Sequence, residues 1–330
     1  MKILIFGNGE IIDYGQIQTQ INEIFKPEYI ICCDGGAKHC IESGLMPDVI
    51  LGDMDSIDDN HAGIYKEKGI AFETHPKEKD ISDMALGLMK AIEQGASDVI
   101  LAGAVGSRFD HSLSNMGLLY KCLSLGINAW IIDENSRTTL VNKSLTLKGE
   151  KDRALSLLPF SKTVTVTGTG LRESVENTEL AWGATLGVYT AIAEDEASIT
   201  VDEGVLTVVI LRNTVGERFD QRLANMSLLC KGLSLGVNVW VKDGNNRITL
   251  IDKKLVLKGE KGRTVSFIPF SETVKGITAE GFHYPITNGE LSWGDTLGVS
   301  NVCVNHQASV TVSEGWLAVV IAEGDIGEIS

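Results

Sequence analysis

Two stretches of this chain are copies of one another. "GSRFDHSLSNMGLLYKCLSLG" begins at Gly106 and "GERFDQRLANMSLLCKGLSLG" begins at Gly216. Aligned without a gap, 106–161 and 216–271 share 33 identities in 56 positions. The likeness continues more loosely through "ELAWGATLGV" from Glu179 and "ELSWGDTLGV" from Glu290, with one residue inserted in the later copy. Residues 1–100 have no second copy, so the pattern is a partial duplication of roughly the last two-thirds of an ancestral unit. Two repeats are too few for a solenoid. The copies also differ at a telling place, with Asp110-His111 in the first and Asp220-Gln221 in the second.

A length of 330 residues suggests two or three domains. Apolar runs broken by Gly and polar clusters read as a soluble, globular protein, and no run of about 18 apolar residues offers a membrane span. The opening "MKILIFGNGE" reads as a first strand rather than a signal peptide. A formal charge of −15 argues against a nucleic-acid partner, which would require a basic face. Cys32, Cys33, Cys40, Cys122, Cys230 and Cys303 form no CxxC pair and read as buried free thiols of a reducing, cytoplasmic setting.

In the unique part, "KILIFG", "YIICCDGG", "DVILGD", "IAFETH", "DVILAGA" and "NAWIID" read as buried strands. "SDMALGLMKAIEQG" and "SLSNMGLLYKCLSLG" carry helical spacing and stop at Gly95 and Gly126. Strands alternating with helices imply a mostly parallel, Rossmann-like sheet covered on both faces. After Asp133 the pattern turns to Thr- and Val-rich alternation without helical period, as in "KTVTVTGTGL", and this recurs after Asp243. The expected fold is therefore α/β plus all-β, with two antiparallel β-sandwich-like modules following the α/β domain. The divisions are an α/β domain at 1–133, a proximal β module at 134–210, a repeated α/β segment at 211–242 and a distal β module at 243–330.

Four acidic motifs fall at the C-terminal ends of expected strands, where open parallel sheets bind ligands. "CDGGAKH" places Asp34, Gly35 and Gly36 at a turn; "PDVILGDMDS" places Asp53, Asp55 and Ser56 just past a strand. "KEKDISDMALGL" sets Asp80 and Asp83 at the start of a helix, and "GAVGSRFDH" leads through Gly to Arg108, Asp110 and His111. Each has a bland reading: a turn, a helix cap by Asp80 or Ser82, or a surface ion pair. Together they are harder to dismiss, because so many carboxylates at one sheet edge repel one another unless a cation sits among them. Oxygen ligands suit Mg²⁺, Gly-rich turns and helix N-termini offer N–H groups to phosphate, and Arg108, Lys38 and Lys79 can meet the remaining negative charge. The residues thus point to Mg²⁺-dependent phosphoryl or diphosphoryl transfer without a GxxxxGK[ST] loop.

These four motifs, in this order, resemble the thiamine pyrophosphokinase family. Here they read "DGGAKH", "PDVILGDMDS", "KDISD" and "GSRFDH", with Ser82 where Thr is usual and Ser107 in place of a second Gly. The resemblance covers nearly all of 1–133, and the β modules look like the family's thiamine-binding domain. It implies a transferase, or kinase, of thiamine diphosphate biosynthesis: ATP gives a diphosphate to the hydroxyl of thiamine and leaves as AMP. It further implies that Asp53, Asp55, Asp80 and Asp83 hold Mg²⁺ and the triphosphate, that Asp34, Gly35, Gly36, Ser56, Lys79 and Ser82 contact the nucleotide, and that Asp110, Arg108 and His111 serve catalysis. Ser300 and Asn301 match the family's Ser-Asn thiamine contact, with Trp293 as an aromatic wall or plain core. The proximal copy has Tyr189 and Thr190 there, and keeps a Trp as Trp182.

The copies thus look specialised, one keeping Arg-Asp-His and the other Ser-Asn. The family's pocket usually spans a homodimer, so the expected assembly is a homodimer, or a monomer that uses its duplicated module. Two other readings stand beside the enzyme: a degenerate thiamine- or nucleotide-binding protein, and a diphosphokinase acting on another alcohol.

Overall fold

The short Val- and Ile-rich runs form strands in this computed structural model, which describes residues 1–76, 80–183, 187–212 and 218–323. The chain divides into two units, Met1–Arg137 and Thr138–Ser330. In the first unit, β1 (Lys2–Phe6), α1 (Tyr14–Ile24), β2 (Tyr29–Cys33), α2 (Ala37–Glu42), β3 (Val49–Gly52) and α3 (Asp59–Glu67) follow in turn. They are continued by β4 (Ala71–Thr74), α4 (Asp83–Glu93), β5 (Asp98–Ala102), α5 (Phe109–Ser124) and β6 (Asn128–Ile132). These strands lie in the order β6-β5-β1-β2-β3-β4 and pair in parallel throughout. Ile3, Leu4, Ile5 and Phe6 are wholly buried, which is why β1 reads as a continuous apolar run rather than an alternation.

The chain moves outward from β1 to β4 on one side and returns through β5 and β6 on the other. That reversal leaves a crevice at the C-terminal ends of β1 and β5, the ordinary place for a ligand in such a sheet.

In the second unit the strands are antiparallel. β7 (Ser136–Val141) leads in, followed by β8 (Ser144–Lys148), β9 (Ala154–Pro159), β10 (Thr163–Thr169) and β11 (Val175–Ala181). β12 (Val188–Ala191), β13 (Glu196–Glu203) and β14 (Leu206–Leu211) complete the proximal set. They form the orders β12-β9-β14-β7 and β11-β10-β13-β8. After α6 (Phe219–Ser234), the pattern is repeated by β15 (Val241–Asp243), β16 (Asn246–Ile251), β17 (Lys254–Lys258), β18 (Thr264–Pro269) and β19 (Thr273–Glu280). β20 (Ile286–Ser292), β21 (Asn301–Val302), β22 (Gln307–Thr311) and β23 (Leu317–Ala322) follow, in the orders β15-β16-β23-β18-β21 and β17-β22-β19-β20. Val265, Phe267, Val319 and Ile321 of one distal sheet share a core with Val274, Ile277, Leu291 and Val310 of the other, making a sandwich.

One expectation needs revision. The sequence of the repeated segment 211–242 predicts a helix followed by a strand, as in α5 and β6. The helix forms as α6, but the copy of β6 does not extend a parallel sheet: 237–240 carries no strand, and β15 pairs antiparallel with β16. The physical reason is the missing neighbour. β6 lies along β5, and the chain holds no second copy of β5 for these residues to join, so Val237 and Trp240 are left exposed.

All six cysteines are buried and free. Among the described residues no helix is long and apolar enough to cross a membrane.

Candidate functional site

Three of the four acidic motifs can be followed from backbone to side chain at the crevice of the first unit. β2 ends in a single 3₁₀ turn over Asp34–Gly36, and this turn presses against the end of β1. A Cβ on Gly36 would lie 2.3 Å from the Phe6 carbonyl oxygen, so only glycine lets the two strand ends meet. Past β3 the chain turns at Gly52, with φ at +142° and Asp34 Cβ only 2.8 Å from where a side chain would begin. The two turns are therefore built into one another. Asp34 and Met54 hold positive φ of 46° and 67°, a strained backbone at the place where the acids converge.

The result is a carboxylate cluster. Asp34, Asp53 and Asp55 each offer an oxygen within 4.8 Å of the others. The Asp55 amide donates to Asp53 Oδ1 at 3.1 Å, and the Ser56 hydroxyl donates to Asp55 Oδ1 at 3.0 Å. Asp34 is buried, and burial pushes its carboxyl above the ordinary range; hydrogen bonds from Ser56 oppose this, while the charges of Asp53 and Asp83 add to it. A protein gains nothing in stability from such crowding. An all-oxygen set with one buried, electrostatically stressed member fits a hard cation such as Mg²⁺, which would relieve that repulsion.

The fourth motif caps α5. Arg108 is the N-cap, and its guanidinium grips Asp110 with both arms, Nε to Oδ1 at 2.9 Å and an Nη to Oδ2 at 2.6 Å. Asp110 is 1% exposed and Arg108 43%, so the pair presents a cation outward over a buried anion. His111 reaches solvent, yet the protein packed about it lowers its pKa; Arg108 acts in the same sense, and Asp110 and Asp83 oppose both. Asp83 thus feels both the cluster at Asp34 and the histidine on α5.

The remaining first-unit residues are placed as follows. Ser82 caps α4, its hydroxyl accepting from the Ala85 amide at 3.3 Å, and Asp83 is the first helical residue. Asp80 lies on the exposed approach to α4, outside the group formed by Asp34, Asp53 and Asp55, as does Asp83. Lys79 lies outside the described residues. The sequence reading overlooked Asn8, in "FGNGE" after β1. Its Oδ1 accepts from Lys38 Nζ at 3.1 Å, and it leaves no room for a side chain on Gly35, 2.4 Å away. A polar residue between two glycines at a strand end was the available signal.

In the second unit, Ser300 and Asn301 have different jobs. Asn301 is 4% exposed and spends its amide on the backbone: Oδ1 accepts from Tyr284 N at 3.0 Å, and Nδ2 donates to Tyr284 O at 2.7 Å. Ser300 is half-buried with φ at 61°, its amide tied to Ser266 Oγ at 2.9 Å. Tyr284, which Asn301 holds, is half-exposed and was not singled out from the sequence. Trp293 is pinned by its indole N–H to Phe270 O at 3.1 Å, with its ring 4.5 Å from that of Phe160.

With this geometry in place, comparison with known proteins is specific. The profile of the thiamin pyrophosphokinase catalytic domain matches residues 22–131, and that of the thiamin pyrophosphokinase vitamin B1 binding domain matches 250–317, in the distal copy. The thiamine pyrophosphokinase of Bacillus subtilis (strain 168) is 27% identical over 184 residues, 55% of this chain and 85% of that protein. Thiamine pyrophosphokinase 1 of Oryza sativa subsp. japonica is 25% identical over 210 residues, 56% of this chain and 79% of its own. Among solved structures, the thiamine pyrophosphokinase of Bacillus subtilis superposes with a TM-score of 0.57 at 22% identity, over 64% of this chain and 100% of that one. That of Geobacillus thermodenitrificans gives 0.57 at 24%, over 65% and 99%.

Proposed function

Because this chain belongs to the thiamine pyrophosphokinase family, we propose that it transfers a diphosphate from ATP to the hydroxyl of thiamine, giving thiamine diphosphate and AMP. The observation that carries this is the cluster of Asp34, Asp53 and Asp55 beside a switch-point crevice, whose repulsion has no structural purpose. In the reaction the thiamine oxygen forms a bond to the β-phosphorus, and the bond from that phosphorus to the α–β bridging oxygen breaks. The electron pair leaves with AMP, and the hydroxyl proton leaves the attacking oxygen.

The protein's work is to position the reactants and to meet charge. Asp34, Asp53 and Asp55, with Asp83 nearby and Asp80 on the approach, are the residues that would hold Mg²⁺. When bound, the ion would screen the phosphate oxygens as negative charge shifts toward the leaving group. Gly35 and Gly36 keep tight the turn that carries Asp34 to the nucleotide, and Ser56 steadies the cluster. Arg108 offers a cation to the phosphates, while Asp110, gripped by Arg108 at both oxygens, is the residue that would orient the thiamine hydroxyl or take its proton. His111, its pKa lowered, is neutral at neutral pH and suits a hydrogen-bonding role. Ser300 is proposed to contact thiamine directly, with Asn301 behind it holding Tyr284 in place.

AMP release from ATP and Mg²⁺, with and without thiamine, tests the proposal on wild type and Asp55→Asn. We expect thiamine-dependent AMP, reduced at least about 10²-fold in the variant, the scale of losing one electrostatic partner of a transition state. AMP formation indifferent to thiamine would refute the assigned acceptor. Thiamine binding by calorimetry without any AMP would leave a binding protein.

A further inference from the structure

The two β modules repeat a small aromatic device and exchange it. In the proximal module, Trp182 is pinned at both ends by its own module: its backbone amide donates to Lys162 O at 3.0 Å and its indole N–H to Phe160 O at 3.2 Å. In the distal module, Trp293 does the same with Glu272 O at 3.0 Å and Phe270 O at 3.1 Å. Each ring then leaves its own module. Trp182 lies on Phe270, centroids 4.8 Å apart and planes at 50°, and Trp293 lies on Phe160 at 4.5 Å and 53°. By sequence alignment Phe160 corresponds to Phe270 and Trp182 to Trp293. One residue of each module meets its non-equivalent partner in the other, and the reverse contact is made with nearly the same geometry.

Reciprocity of that kind is the mark of a two-fold, isologous contact. Here it occurs within one chain. We propose that the proximal and distal β modules pair with each other as an internal pseudo-dimer, so that the partner for this face is the chain's own second module and the chain is a monomer.

Two departures from symmetry mark the mixed pairing, and the second favours it over a pairing of two distal modules. Trp316 adds its ring to Trp182 at 5.2 Å, while the corresponding proximal residue is Val205. Beside it, a cavity is lined by Lys162 and Trp182 of the proximal module and by Asp252, Ser271, Glu314 and Trp316 of the distal one. Lys162 there faces two carboxylates. In a pairing of two distal modules its place would be taken by Glu272, and like charges would meet.

The proposal is independent of the catalytic reading, because its tests need no substrate. Sedimentation equilibrium of the full chain across a hundredfold concentration range is expected to give a single mass of 35.6 kDa. Double-mutant cycles then test the contacts themselves. Trp182→Ala with Phe270→Ala, and Trp293→Ala with Phe160→Ala, are expected to depart from additivity by about 2- to 10-fold in the unfolding constant, the scale of an aromatic pair. A dimer in sedimentation, including one formed by exchanging modules between chains, would overturn the proposal without touching the assigned reaction. So would a monomer in which both cross pairs are additive.

Discussion

The Arg-x-Asp motif occurs twice, at the start of α5 and at the start of α6, with the same internal geometry and opposite surroundings. In α5 the two arms of Arg108 reach Asp110 at 2.9 and 2.6 Å; in α6 those of Arg218 reach Asp220 at 3.0 and 2.6 Å. Arg108 is 43% exposed and acts on His111, which also lies within the field of Asp83. Arg218 is 15% exposed and lies 5.0 Å beneath the ring of Tyr189, while Ser156 Oγ donates to Asp220 Oδ2 at 2.7 Å. The second motif has become a bolt that ties α6 to β9 and β12. Geometry within a motif is thus no guide to its use; what the motif faces decides it.

The sharpest way to break this comparison is to make the same substitution in both copies. Asp110→Asn is expected to lower AMP formation by about 10²- to 10⁴-fold, the range of a lost proton-handling or charge-positioning group, with the fold retained. Asp220→Asn is expected to leave the rate alone and to cost about 1.5–3 kcal/mol of stability, because a charged, buried hydrogen-bonded pair is weakened. Steady-state rates beside urea denaturation would decide it. A folded Asp220→Asn protein without activity would mean that α6 belongs to a working site.

Acid is the next probe, and the fold itself answers to it. His39 on α2 is buried, its Nε2–H donating to Gly9 O at 2.7 Å while Nδ1 accepts from Tyr14 at 2.8 Å. Burial lowers its pKa from 6.5 to about 4. The unfolded imidazole therefore takes up a proton below 6.5 and the folded one does not, so stability falls as pH drops from 6.5 toward about 4, by at most ~3 kcal/mol. Asp133 acts in the opposite sense: burial pushes it up to about 6, the folded state takes up its proton first, and stability rises as pH falls from about 6 to 3.8. The difference between wild type and His39→Gln isolates the first effect, and the variant is expected to lose less stability on acidification. If activity at pH 5 fell while circular dichroism of wild type showed no loss of folded protein, protonation of Asp34, whose carboxyl burial raises, would be the cause instead.

The acid cluster draws the same contrast from the metal side. Among the described residues, Asp34, Asp53 and Asp55 are the one group gathered closely enough to hold an ion, and they belong to the first unit. Asp34→Asn is expected to raise the Mg²⁺ concentration needed for half-maximal AMP formation about tenfold, equivalent to ~1.4 kcal/mol. It should also raise the melting temperature in chelator, because a buried carboxyl crowded by Asp53 and Asp83 is removed. Opposite signs for rate and stability mark a functional residue; Asp220→Asn should show no such opposition.

Much of this was legible in the sequence, and the exceptions have a common cause. The parallel sheet followed from Val- and Ile-rich runs ended by Gly and Asp, and the bland reading of Ser82 as a cap describes its backbone bond. The convergence of Asp53 and Asp55 followed from their spacing after β3. What the sequence hid was contact at a distance. Nothing in "CDGGAKH" says that Gly36 must clear the Phe6 carbonyl, or that Asp34 rather than Asp80 joins the cluster. The segment 237–240 keeps the residues of β6 closely enough to read as a strand, yet it lacks the neighbour that made β6 one. Asn301 reads as a ligand contact, and only its bonds to Tyr284 show an amide committed to the backbone. Local pattern fixes an element; its partners come from elsewhere in the chain.

The smallest expected effect tests how the bolt is closed. Tyr189 stands where the distal module has Ser300, and with half its surface exposed it acts as a cover rather than as core. Tyr189→Ser removes the ring from Arg218 but leaves Arg218–Asp220 and Ser156–Asp220 intact. The cost should be only about 0.5–1 kcal/mol, the value of a partly exposed cation–π contact. No second active site should appear, because α6 still has Gln221 for histidine and no copy of the acid cluster near it in sequence. Stability by urea titration and the stoichiometry of nucleotide binding by calorimetry check both halves. A second nucleotide per chain in Tyr189→Ser would show that one tyrosine ring, and not the loss of the acids, had closed the second copy.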